Sequence, residues 1–375
     1  MTNLFVFGTL CHRPLLERVL DRPVEAETAR LPDLAVYLVQ GKGLPNAALC
    51  QSAGAAAEGW LIRDAGAADV ERLAFYLSGL GSEMQQAEVL TASHERLTVT
   101  VPLRACPPDA CGPLFSFEEW RAEWGDAACD AAREIMAQHG QAELDEIGRL
   151  RPYLEARAWA LQLGRHGAPA ELRSKRGREA VEFLGDRPGW EGFFRMRAFT
   201  MRHRRFDGSW TEPLRREAFM AYDGALVLPY DPETDRVLLV EQLRFGPTLR
   251  GDPHPWVLEP VAGLVDAGES PEVCALREAE EEAGVSLRDL RPMMRIYASP
   301  GYSTEYFHCF LGFCSLSERD NGVGGLEEEN EDIRSHVISF DRAMELVDSG
   351  EINVGPLAMM LYWLARHREE LRRGA

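Results

Sequence analysis

Gly263-Leu-Val-Asp-Ala-Gly-Glu269-Ser-Pro-Glu-Val-Cys-Ala-Leu-Arg277-Glu278-Ala279-Glu280-Glu281-Glu282-Ala283-Gly284-Val285 decides how the second half of this chain folds. Ser270 stands where an N-cap belongs, Pro271 at the first helical position, and Gly284 where a left-handed residue ends a helix, so the sequence predicts a helix over about residues 271 to 283. At 100° per residue Val273, Leu276, Ala279 and Ala283 share one side, while Glu278, Glu281 and Glu282 fill an arc of about 100° on the other. Three like charges that close weaken a helix unless water or cations neutralise them. For an arbitrary E-x-x-E-E the ordinary explanation is a solvated acidic face.

The fixed offsets of Gly263, Glu269, Arg277 and Gly284 from those glutamates argue against that explanation. The string fits G-x5-E-x7-R-E-U-x-E-E-x-G-U, with U aliphatic and Ala279 a small residue at one U position. It resembles the Nudix box. Hard divalent cations need oxygen ligands, and glutamates spaced i, i+4 supply them while substrate phosphates complete the shell. Around the box, Arg216-Glu217, Glu241-Gln-Leu-Arg244, Trp256-Val-Leu-Glu259-Pro-Val-Ala262-Gly263, Ser299-Pro-Gly-Tyr-Ser-Thr-Glu305 and Glu329-Asn-Glu331 look like bacterial ADP-ribose pyrophosphatases, over about residues 190 to 370.

That resemblance implies a Mg²⁺-dependent hydrolase, with Mn²⁺ as the other metal, acting on ADP-ribose. Nucleotide sugars and dinucleotides are the neighbouring substrates, since the box supplies only the diphosphate chemistry. It implies metal ligands at the Ala262 carbonyl, Glu278, Glu282 and Glu331, and a catalytic set of Glu329 as general base with Glu281 and Arg277. Glu329 lies in the glycine-bearing run Asn321 to Asn330, which the resemblance makes a closing loop. Arg216, Glu217 and Arg244 are implied on the diphosphate and adenosine side, and Glu305 near the terminal ribose. The family's Arg after that glutamate is Tyr306 here. Phe194, in Trp190-Glu-Gly-Phe-Phe194, is implied to stack on a partner subunit's adenine, and a homodimer goes with it.

The first 105 residues read differently. Short β-like runs at 4–10, 35–40, 59–62 and 97–103 are separated by Gly, Pro and Ala-rich turns. Leu4-Phe-Val-Phe7-Gly8-Thr9-Leu10 resembles the opening of γ-glutamylcyclotransferase-like domains, whose turn amides receive a carboxylate and whose glutamate moves a proton. Leu77 occupies that glutamate's place, with Glu83 and Glu88 downstream. Leucine exchanges no protons, so a ligand-binding or scaffolding role is expected of this half, and a ligand-sensing module with a non-catalytic first half is the alternative to the hydrolase. Similar fusions carry names referring to tellurite resistance, which nothing in these residues explains.

The expected architecture is α+β and α/β. A γ-glutamylcyclotransferase-like small mixed barrel (1–105) leads through a helical connector (106–185) to a Nudix α/β/α sandwich (186–375). The breaks are Cys106-Pro-Pro-Asp-Ala-Cys-Gly-Pro113 and Gly185-Asp-Arg-Pro-Gly189. At 375 residues the chain exceeds one ordinary core. Its net charge of -19 opposes binding to nucleic acid and to anionic membranes, yet allows a small anionic ligand held by a few arginines. No run of eighteen apolar residues is present, and the eight cysteines show no C-x-x-C pair. They read as thiols in a reducing cytoplasm.

Overall fold

The computed structural model describes residues 2–373 apart from 40, 42, 105–111, 166, 169, 317–321 and 326–330. The chain divides into two compact units. One comprises Met1–Glu179, Trp190–Arg195 and Asp266–Gly268; the other comprises Ala180–Gly189, Met196–Val265 and Glu269–Ala375.

In the first unit β1 (Thr2–Phe7), β2 (Glu27–Val39), β3 (Asn46–Ala65), β4 (Ser82–Thr91) and β5 (Arg96–Arg104) close a barrel in the order β1-β3-β2-β4-β5. Strand alternation divides its side chains. Phe5 and Phe7 enter the barrel with Leu49, Leu61, Val89, Val99 and Val101. Leu4 and Val6 point outward into a second core shared with α1 (Arg13–Leu20), α2 (Ala67–Tyr76), α3 (Phe117–Met136) and α4 (Leu144–Gly164). The two long helices of the expected connector therefore bury their apolar faces in the same core as the barrel's outer side. The 20-residue β3 far exceeds the run expected at 59–62, because its Ala and Gly content lowers β propensity while pairing with β1 and β2 holds it extended. Cys50 on β3 is disulfide-bonded, which corrects the expectation of eight thiols; spacing along the chain does not reveal such a pairing.

The second unit opens on β6 (Val181–Trp190), β7 (Arg195–His203) and β8 (Leu214–Met220), a sheet in the order β6-β7-β8. The expected break at 185–189 lies inside β6. As an edge strand β6 accommodates Pro188, whose missing N–H can face away from the single neighbour, and Gly189 lets its backbone approach Met196 closely.

The larger sheet contains β9 (Asp223–Asp231), β10 (Arg236–Leu243), β11 (Trp256–Glu259), β12 (Val261–Leu264), β13 (Asp289–Tyr297), β14 (Tyr306–Phe313), β15 (Val323–Gly324) and β16 (Ile333–Ser339). Its order is β13-β14-β9-β10-β16-β15, with β11 on β10 and β12 on β9. Between β10 and β11 runs the short α5 (Phe245–Arg250). Leu226, Leu228 and Tyr230 on one face join α7 (Phe340–Ser349) and α8 (Gly355–Arg373) in one core, while α6 (Pro271–Glu281) lies on β9 and β12. Among the described residues no helix is long and apolar enough to cross a membrane.

Candidate active site

Helix α6 begins as its sequence predicts, with Ser270 Oγ accepting from Val273 N at 3.2 Å. Gly284 ends it at φ +58°, its N–H donating to Glu280 O at 2.8 Å. The buried face takes in only part of the apolar side, Ala279 and Ala283, and extends onto the side that carries Glu278 and Glu282. Val273 and Leu276 are exposed, whereas Cys274, Ala275, Glu278 and Ala279 are buried. Small residues let the helix lie close against β9 and β12, and that approach carries the carboxylates inward with it. A Cβ on Gly263 would fall 1.8 Å from Glu278 Oε1, so only glycine at that position lets Glu278 lie across β12.

Burial at this site is unusual for charged groups: Glu278 is 9% exposed and Glu282 2%. Glu282 Oε2 accepts from Ala262 N at 3.0 Å. Desolvation pushes Glu282 up to about 8, against that N–H, and the charges of Glu278 and Glu331 push in the same direction. Desolvation likewise raises Glu278 to about 7, with Arg277 opposing and Glu281 and Glu331 adding. Arg277 ties the box together. Its Nη1 donates to Glu278 Oε1 at 2.6 Å and to Glu281 Oε2 at 2.8 Å, and its Nε to Glu269 Oε1 at 3.1 Å. Gly325 N, just past β15, donates to Glu281 O at 3.4 Å.

Arg244 sits beyond the end of β10 with its Nε donating to Glu259 Oε2 at 2.7 Å. Its charge also acts on Glu282 and on Glu305, whose own pKa is raised by burial. The fold thus brings Ala262, Glu278, Glu281, Glu282, Glu331, Arg277, Arg244 and Glu305 into one electrostatic neighbourhood. Glu259 and Gln242 belong to it as well. The sequence assigns neither a role, and the signal that places them is the β10–β11 pairing.

Arg216 and Glu217 are exposed on β8, and neither forms a hydrogen bond or ion pair with the α6 carboxylates. Phe194 is half exposed in the first unit and meets Phe193 edge-on at 4.6 Å. Phe193 in turn meets Tyr153 at 4.4 Å, and its carbonyl accepts from Arg157 Nη1 at 2.9 Å. Glu329 lies outside the described residues.

Residues 220–355 match the model of the NUDIX domain. The chain is 38% identical over 194 residues to an ADP-ribose pyrophosphatase of Haemophilus influenzae, covering 51% of this chain and 89% of that protein. The chain belongs to the NUDIX family. It is also 37% identical over 204 residues to the ADP-ribose pyrophosphatase of Escherichia coli K12, covering 54% of this chain and 97% of the relative. With a GDP-mannose pyrophosphatase of Enterobacter it shares 32% over 186 residues, 49% of this chain and 94% of the relative.

The Nudix helix α6 therefore offers an oxygen-only donor set. Among the described residues no group of three or more His, Cys, Asp and Glu is gathered closely enough to hold a metal alone. An open set of this kind suits a hard dication that keeps water and takes its remaining ligands from phosphate. Crowded, desolvated like charges at Glu278 and Glu282 are what such a cation would relieve. A groove of about 560 Å³ lies elsewhere in the Nudix unit, lined by Glu241, Trp256, His336 and Arg342. Glu241 and Gln242 are adjacent on β10, so that groove faces away from α6.

In the first unit a cavity of about 40 Å³ is lined by Thr9, Asn46, Tyr76, Leu77, Arg151 and Glu155 among others. Leu77 is buried in its wall, while Glu83 and Glu88 are exposed on β4. The carboxylate that does reach the cavity is Glu155, from α4. Its Oε1 accepts from Arg151 Nη1 at 2.8 Å and its Oε2 from Leu44 N at 2.8 Å.

Proposed function

We propose that the second unit hydrolyses the diphosphate of ADP-ribose to AMP and ribose 5-phosphate with Mg²⁺, Mn²⁺ serving as a substitute. The observation that carries this reading is the burial of Glu278 and Glu282 side by side, raised in pKa, within a complete Nudix box. The names of the Haemophilus and Escherichia relatives support the choice of substrate.

A dication, when bound, polarises phosphoryl oxygens and acidifies a water. Glu278, Glu282, Glu331 and the Ala262 carbonyl would hold it. Arg277 keeps Glu278 and Glu281 aligned through two bonds from Nη1 while its Nε and Nη2 hold Glu269, a fork that a lysine could not reproduce. Arg244 turns its guanidinium to the diphosphate, and Glu305 accepts from hydroxyls of the terminal ribose. Glu329 takes the proton of the attacking water as the new O–P bond forms and the bridging P–O bond breaks. Exposed Phe194, Arg216 and Glu217 are read as contributions to binding in a homodimer, Phe194 stacking on the partner subunit's adenine.

The first unit is read as a non-catalytic scaffold. Its cavity holds about three waters by the one-probe rule, and both oxygens of Glu155 are already engaged. Release of 5-oxoproline from γ-glutamyl substrates, persisting in Glu282→Gln, would overturn that reading.

The deciding experiment measures turnover of ADP-ribose, GDP-mannose, other nucleotide sugars and dinucleotides by the full chain with and without Mg²⁺, with product identification. ADP-ribose should turn over fastest, giving AMP only with the metal. Preference for GDP-mannose, or turnover that ignores metal, would contradict the reading.

A further inference from the structure

Arg244 is fixed through its backbone on both sides. Its N–H donates to Pro255 O at 3.1 Å, and its carbonyl accepts Thr248 Oγ1 at 2.8 Å. Across the antiparallel pair Glu259 stands opposite Val240, the last partner β11 finds on β10. Pro260 then follows without an N–H, and Val261 opens β12 beside β9. Glu259 is thus pinned at a strand switch three residues before Ala262.

The side chains repeat this ordering. Glu259 is 15% exposed and Arg244 43%, so the carboxylate is the anchor and the guanidinium reaches outward from it. Nε makes the one hydrogen bond that the Arg244 guanidinium donates to a described residue, so Nη1 and Nη2 donate none there. Gln242 is buried on the same face of β10, with its amide beside the Glu259 carboxylate. Burial raises the pKa of Glu259, while the Arg244 charge and the nearby Gln242 amide favour its ionised form.

We propose that Glu259 is a positioning residue for the hydrolysis: it grips Arg244 by Nε and so turns the free Nη pair toward the diphosphate, with the Gln242 amide completing that wall. The inference rests on the proposed function. An arginine held at Nε loses little freedom when its fork closes on phosphate, so the expected effect is on substrate affinity more than on the chemical step.

The test is a double-mutant cycle in the full chain with ADP-ribose and Mg²⁺, reading KM and kcat separately. Glu259→Gln should raise KM roughly tenfold with kcat within about threefold, and should add nothing to the KM of Arg244→Ala. Glu259→Asp keeps the charge but shortens its reach; it should show a smaller rise in KM, and it carries the test if Glu259→Gln does not fold. Unchanged KM in either Glu259 variant, or penalties that multiply in the double variant, would overturn the proposal while leaving the function standing. A wild-type chain that hydrolyses no nucleoside diphosphate derivative would overturn both.

Discussion

Glu155 in the first unit and Glu282 in the second are buried to nearly the same degree, 5% and 2% exposed, and they have opposite surroundings. Glu155 faces Arg151, whose Nε donates to Ser78 O at 2.7 Å and whose Nη2 donates to Tyr76 O. Every charged atom of that pair has a partner, and nothing further is needed to explain it. Glu282 has one backbone donor, and its near neighbours Glu278 and Glu331 carry its own sign. Arg277 is committed to Glu269, Glu278 and Glu281. Paired buried charges explain themselves as structure. Crowded like charges call for something from outside the chain.

The largest expected effect that would break this contrast is on activity. Glu282→Gln should reduce kcat at least about a thousandfold, upward of about 4 kcal/mol in the barrier, with an unchanged or raised melting temperature because a buried repulsion is removed. A melting temperature that falls steeply would place Glu282 with Glu155, as a structural group.

Glu155→Ala should do the reverse. It leaves Arg151 buried without its counter-charge, and unfolding of the first unit should become easier by about 3 kcal/mol, measured by denaturant titration. Turnover per folded molecule should stay within about twofold of wild type if the first unit has no part in the chemistry.

The smallest effect sharpens the contrast at a partly buried, fully paired acid. Burial alone would raise Asp235, but hydrogen bonds from Arg368 and Tyr230 and the charges of Arg368 and Arg372 outweigh it and hold its pKa below the usual carboxylate range. A depressed folded-state pKa gives stability that is present above the unfolded value and lost as pH falls through the folded one. The stability gap between wild type and Asp235→Asn should therefore shrink by about 1 kcal/mol between about pH 6 and about pH 3. A gap that widens on acidification would reverse the assignment.

The reach of the sequence varies along the chain for physical reasons. The box was legible because its chemistry is local: Ser270, Pro271 and Gly284 bound the helix, and Arg277 meets its partners within eight residues. Which face of α6 turns inward was not legible. Close packing of Cys274 and Ala275 rolls the helix so that Ala279 and Ala283 of the apolar side are buried while Val273 and Leu276 are not, and hydrophobic periodicity takes no account of that. Glu259 and Gln242 were hidden because their relation to Arg244 exists only once β10 and β11 pair. Arg151 and Glu155 carry no mark in the sequence beyond their i, i+4 spacing, and what makes them a buried pair is enclosure by the barrel's outer core. Pro188 and Gly189 looked like a domain break because an edge strand tolerates residues that a central strand excludes.

The central claim, that the α6 carboxylates are kept crowded for a dication, is tested most directly by titrating Mn²⁺ into the full-length protein and following the free ion by electron paramagnetic resonance. Wild type should deplete free Mn²⁺, and Glu282→Gln should lose that uptake while its melting profile is retained. Equal uptake by both proteins, or none by wild type, would contradict the account.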